Sequence, residues 1–132
     1  MTHKHKTMIK EILLAGCGSF VGGSLRYIIS KVLQSATALS FPIGTMAVNV
    51  IGCLLIGILS GTAANNGLLS PSTRLLLTTG FCGGFTTFST FMNESNMLLK
   101  NEQFAYMALY IAGSVLIGFI AVIAGNYISK LL

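Results

Sequence analysis

Residues 83–91 read GGFTTFSTF, with three phenylalanines, two glycines and four hydroxyl side chains inside one of the most apolar parts of the chain. Phe88 and Phe91 stand at i and i+3, so in a helix they lie near one face, with Ser89 and Thr90 beside them. A phenyl ring is negative on its face and positive at its edge. Ring edges and hydroxyl groups turned into a narrow passage would attract a small anion without holding it too firmly to leave. The same spacing also suits two rings packed in a core or facing lipid. A second polar group lies in GTMAVNVIG, residues 44–52, where Asn49 has Thr45 one turn before it and Cys53 one turn after. A buried amide must find partners, and its NH2 group suits an anion or a neighbouring helix equally well. Tyr110, Ser114 and Gly118 follow at i, i+4 and i+8, a hydroxyl-bearing stripe with a gap at its end. Arg26 is the only charge well inside an apolar run, which suits either function or a stem that snorkels to the interface.

The elements that must position these groups follow from composition. Of the 132 residues, 53% are hydrophobic and only 8% are charged, against about 25% charged in a soluble domain. A soluble fold of this size could not clothe its surface with so few charges, so the bilayer is the expected solvent. Four apolar segments, at about 11–33, 42–63, 73–99 and 104–128, each supply the roughly 20 residues that a crossing needs. A turn around Asn65–Ser72 separates the second from the third. No barrel-like alternation is present, so helices must satisfy the backbone. The expected fold is a single domain over 1–132, an all-α membrane protein with four transmembrane helices.

The third of these helices is the unusual one. Its run TTGFCGGFTT, residues 78–87, holds three glycines and four threonines, and each glycine costs a helix roughly 1 kcal/mol relative to alanine. This predicts a helix broken near mid-membrane, with Thr86 or Thr87 capping a new helix that begins around Phe88. Irregular backbone at that depth must be buried by protein or line a watery cavity. Half-helix ends there turn amide groups toward anions and freed carbonyls toward cations.

Other readings are excluded or weakened. The net charge of +5 comes from scattered cations, so it does not indicate nucleic acid. Only Lys4, Lys6 and Lys10 cluster, in a tail that has no signal-peptide cleavage pattern after it. His3 and His5 read as solvated tail residues, and Cys17, Cys53 and Cys82 lack ligand spacing and read as packing residues. No nucleophile–base pairing indicates an enzyme. Four spans put Lys4, Lys6, Lys10, Arg74 and Lys130 on one side and Lys31, Lys100 and Arg26 on the other. That shallow bias favours cytoplasmic termini and is compatible with insertion both ways round. Gly18-xxx-Gly22 and Gly57-xxx-Gly61 permit close backbone approach, within a subunit or between subunits. Four thin helices enclose little space, so a transport path forms more easily between two copies than within one.

Taken together, GGFTTFSTF, GTMAVNVIG and GGSLRY (residues 22–27) resemble the Fluc/CrcB family of small bacterial fluoride channels. The likeness covers all four spans, and TTFSTF, residues 86–91, is its most specific part. The resemblance implies a multi-pass protein of the bacterial inner membrane that forms an antiparallel, dual-topology dimer with two fluoride pores. The dimer would be of this chain with itself or with a related second subunit. It further implies a sodium ion at the dimer centre, held by backbone carbonyls at positions matching Gly83 and Thr86. Phe88, Phe91 and Asn49 match pore-lining residues of the family, and Ser89, Thr90, Tyr110 and Ser114 match its polar track. Arg26 and Glu94 match residues near a pore entrance. Gly118, Phe85 and Met92 depart from the family's usual residues at their positions.

The functional expectation is a passive fluoride channel that lowers cytoplasmic fluoride. A small proton-coupled multidrug transporter is the first competitor, but it needs a carboxylate deep in the membrane. The only acids are Glu11, Glu94 and Glu102, near span ends or in a loop. A non-transporting membrane assembly protein is the second competitor, with the break serving packing alone.

Overall fold

The computed structural model describes residues 2–65 and 67–132, except for the side chain of residue 65. The turn expected over Asn65–Ser72 therefore includes one residue, Asn66, that lies outside the described residues.

The described residues are helical with no strand. Helix α1 spans His3–Ser35 and α2 spans Ile43–Asn65. The third apolar segment is α3 (Pro71–Leu75), a π-helix over Leu76–Cys82, a last helical turn α4 (Gly83–Phe85), and, after an interruption, α5 (Ser89–Lys100). Helix α6 spans Phe104–Lys130. Helices α1, α2 and α6 are each long and apolar enough to cross a membrane. The third segment is instead two half-helices in series.

Local chemistry explains where these elements start and stop. Thr2 caps α1 by accepting from the His5 amide, so the basic tail is drawn into the helix. Ser70 caps α3 at the Thr73 amide, with Pro71 at the first helical position, where its missing N–H is no loss. Helix α5 closes with paired bonds from Gln103 N to Leu98 O (2.9 Å) and from Glu102 N to Leu99 O (3.1 Å). This closure requires left-handed backbone, and Glu102 adopts it at φ 59° where glycine is the usual choice. Between α1 and α2, the Gln34 amide donates to the Phe41 carbonyl and accepts from the Gly44 amide, stapling the turn.

Two glycine seams hold the helices together. A Cβ at Gly18 would meet Leu76 O and Gly80 Cα, and one at Gly22 would meet Phe81 O. Gly84 presses in the same way on the Ser19 backbone. The second seam joins α2 to α6, where Gly57 lies against the Val122 carbonyl and Gly125 against Leu54 O and Ile58 N. Both small-residue pairs seen in the sequence thus serve contacts inside the subunit. The enclosed core is small, with Val48, Phe85, Phe91, Leu98 and Tyr110 among its members. Large apolar side chains such as Phe20, Ile12 and Phe119 point outward, as they must where the solvent is lipid.

Candidate ion-binding groove at the broken helix

The interruption spans Thr86–Phe88, and Asn49 of α2 makes it. Asn49 Oδ1 accepts from the Thr87 amide at 2.8 Å, and Asn49 Nδ2 donates to the Thr87 carbonyl at 3.0 Å. In an uninterrupted helix the Thr87 amide would donate to the Gly83 carbonyl. Capture by Asn49 releases that carbonyl. Thr86 turns to extended backbone, with ψ 161°. Its amide and hydroxyl both donate to the Cys82 carbonyl, at 3.0 and 2.9 Å. Arg26 reaches from α1 to donate from Nε to the Gly84 carbonyl at 3.0 Å, so the end of the first half-helix has a positive partner. Thr87 Oγ1 accepts from the Thr90 amide at 3.2 Å and caps the first turn of α5.

The break is narrower than the glycine-rich run implied. Residues 76–82 widen into a π-helix but remain helical, and α4 continues to Phe85. Gly80 and Gly84 serve close approach to α1 rather than ending the helix. A specific amide clamp, supplied from another helix, ends it.

Beside the break lies a groove of about 390 Å³, bounded by Asn49, Cys53, Gly83, Thr86, Phe88, Phe91 and Ser114 among others, with no charged side chain in its wall. The Phe88 ring is 72% exposed, while Phe91 is 6% exposed. The two rings meet at 6.2 Å between centroids, inclined by 68°. Phe91 in turn packs edge-to-face on Tyr110 at 5.0 Å, so the buried ring is held rigidly and the exposed one is not. Tyr110 is fully buried with its hydroxyl beside Thr45, whereas the buried hydroxyl of Ser114 has no hydrogen-bond partner. An unpaired buried hydroxyl costs about 1–3 kcal/mol, which protein structures avoid unless a ligand or water answers it.

A second hollow of about 520 Å³ lies nearby, lined by Tyr27, Lys31, Thr45, Thr90 and Glu94 among others. Within it the Thr45 hydroxyl donates to Glu94 Oε1 at 2.5 Å. Lys31 donates to the Tyr27 hydroxyl at 3.0 Å and leaves the hollow with a cationic rim.

The family described as CrcB-like protein, Camphor Resistance (CrcB), matches residues 13–126. The chain belongs to the CrcB-like family. Relatives include the "Fluoride-specific ion channel FluC" of Chlorobium phaeobacteroides (strain DSM 266), 46% identical over 123 residues, which are 93% of this chain and 95% of that protein. The protein of the same name from Chlorobium chlorochromatii is 48% identical over 115 residues, 87% of this chain and 88% of the relative. That of Phocaeicola vulgatus is 42% identical over 122 residues, 92% of this chain and the whole of the relative. These relatives are named as ion channels, not as enzymes.

In this CrcB-like chain the residues singled out in the sequence divide among three places. Asn49, Gly83, Thr86, Phe88, Phe91 and Ser114 share the groove. Thr90 and Glu94 face the second hollow, with Tyr110 packed beside Thr45 and Glu94. Ser89 is exposed on α5 and borders neither space, while Arg26 is engaged with the Gly84 carbonyl. Asn49 spends donor and acceptor on Thr87, which was one of its two sequence readings. Gly118 is buried with Cys53 Sγ 3.3 Å from where a Cβ would sit, so the gap in the α6 stripe is filled by a neighbour. Thr87 was expected as a cap of the second half-helix and is one. Its clamp to the Asn49 side chain was not visible in the sequence, because that partner is 38 positions away. The place of Lys31 in the second hollow was missed too, and its only signal was being a lone cation near the end of α1.

Proposed function

We propose that the protein is a fluoride-selective channel of the bacterial inner membrane that lets cytoplasmic fluoride leave passively. The observation that carries this reading is the groove at the break. It offers the phenyl rings of Phe88 and Phe91 and an unpaired hydroxyl from Ser114, with no charged side chain in its wall. Donors of that weakness suit an anion that must bind and leave, whereas a full positive charge would trap it. The names of the relatives supply the ion. Hydrogen fluoride crosses the bilayer as a neutral molecule and dissociates inside, and the anion then leaves down its electrical gradient.

In this reading the two half-helices together make the third of four crossings, and two copies of the chain pair in antiparallel orientation. The high exposure of Phe88 and the open side of the groove support a wall completed by a second subunit, this chain or a related one. A sodium ion at the dimer centre would be held by the carbonyls of Gly83 and Thr86. Release of the Gly83 carbonyl by the Asn49–Thr87 clamp supports this assignment, because an unpaired carbonyl is the ligand such an ion requires. Arg26 and Glu94 would act near the pore entrances, and Asn49, Ser89, Thr90, Tyr110 and Ser114 along the ion path.

The test is ion efflux from proteoliposomes, read with fluoride and chloride electrodes. Fluoride release with chloride retained is the expected result, and equal passage of both ions, or of neither, would overturn the reading. Replacing sodium by an impermeant organic cation during purification should reduce the flux.

A further inference from the structure

A cavity of about 770 Å³ opens between the first turns of α1 and the start of α3. Lys6 and Lys10 line one wall and Arg74 the other, with Glu11 the single acid, and Ser72 and Thr79 add hydroxyl groups. His3, Lys6 and Lys10 recur at helical spacing, so one face of α1 presents them together. None of the three cations forms an ion pair with another described residue. Three cations are therefore gathered around one space at a net cost in mutual repulsion, and the protein itself supplies only Glu11 to offset it.

What sits next to this space decides which anion it suits. On the same turns of α1, Ile9 and Leu13 are exposed apolar side chains. Leu14 and Leu75 add apolar surface to the cavity lining. A cluster of lysine and arginine where an apolar helix face begins lies at headgroup depth, and attracts anionic lipid with about 1 kcal/mol per cation. We infer that this cavity binds the phosphodiester headgroup of an anionic phospholipid, with Lys6, Lys10 and Arg74 on the phosphate and the acyl chains along Ile9 and Leu13. The inference needs only the membrane placement of α1, so it stands or falls separately from fluoride conduction.

The chain contains no tryptophan, so Ser72→Trp places a single selectively excited reporter at the cavity. Leu33→Trp, at the opposite end of α1, serves as control. Each variant is reconstituted with brominated phosphatidylglycerol or brominated phosphatidylcholine, and quenching gives the relative affinity of the two lipids. At Ser72→Trp a preference for phosphatidylglycerol of about five-fold or more is expected, since one cation's attraction corresponds to about that factor. No such preference is expected at Leu33→Trp. Adding Lys6→Gln, Lys10→Gln and Arg74→Gln to the Ser72 reporter should remove the preference, whereas Lys4→Gln with Lys100→Gln should not. Equal quenching by both lipids at Ser72→Trp overturns the inference, and so does a preference of the same size at both reporters. Loss of the preference on adding millimolar inorganic phosphate would assign the cavity to a free anion instead. The two reporters differ only in position within otherwise native protein, so the result is decisive even if the triple variant fails to fold.

Discussion

The seam between α1 and the first half-helix and the groove beside that half-helix use the same residue types to opposite ends. In the seam, Gly18, Gly22, Gly80 and Gly84 bring backbones into contact, and side chains of α1 answer carbonyls of the first half-helix. Ser19 donates to the Gly80 carbonyl at 3.2 Å and Arg26 to the Gly84 carbonyl at 3.0 Å. In the groove, one position over, the Gly83 carbonyl loses its helical donor and the Ser114 hydroxyl has no partner. Small and polar residues in a membrane helix therefore mean adhesion where they are satisfied. They mean a site where they are not, because lipid offers no hydrogen bonds to make up the difference.

Substitutions should separate the two regions, and the largest effect belongs to the seam. Gly18→Val would push side-chain atoms into Leu76 O and Gly80 Cα, which are backbone atoms with little room to yield. Overpacking costs about 1–3 kcal/mol and more where nothing can shift, so loss of monodisperse protein on gel filtration is expected. Gly16→Val, with nothing within 4 Å of a new Cβ, should elute as the native protein does. A well-folded Gly18→Val would show that the seam is not a close backbone contact.

Next come the two phenylalanines, one on each side of the boundary between core and groove. Phe91→Ala should lower stability by about 3 kcal/mol in a detergent unfolding assay, because it empties a site packed on Tyr110. Phe88→Ala removes an exposed ring, and a change of about 0.5 kcal/mol or less is expected. Fluoride flux should fall in both. Retained flux in Phe88→Ala would remove that ring from the ion path.

Asn49→Ala deletes both bonds to Thr87, for an expected loss of about 2 kcal/mol. The more telling readout is hydrogen exchange at the Thr87 amide, which should speed up sharply. Unchanged exchange would mean that the break persists without its clamp.

A small effect of opposite sign is expected for Ser114→Ala. Its hydroxyl is buried without a partner, so removal should leave stability unchanged or raise it by about 1 kcal/mol while flux falls. A loss of stability instead would place Ser114 with the satisfied residues of the seam.

Much of this was legible in the sequence. Composition set the solvent, and the apolar runs located α2 and α6 to within a few residues of their observed limits. The motif around Phe88 marked the interrupted helix, since glycine and threonine so dense within an apolar run weaken the helix there. The candidates Asn49, Phe88, Phe91 and Ser114 do converge on one groove. The exact place of the break was not legible. Propensity spread it over residues 78–87, but helix propensity is a difference of about 1 kcal/mol per glycine, which packing against α1 easily outweighs.

The sequence by itself determined that the chain is helical, membrane-dissolved and interrupted once in its third segment, because those properties follow from composition and spacing along one strand of residues. Only the tertiary structure decided what each small or polar residue is for. Gly80 and Gly83 are indistinguishable in sequence, yet one lies against α1 and the other borders the groove. Asn49 was equally suited to an anion and to a helix, and Thr87, 38 positions away, settled its hydrogen bonds. Whether a polar group is satisfied depends on partners that folding brings from distant parts of the chain, and no local pattern carries that information.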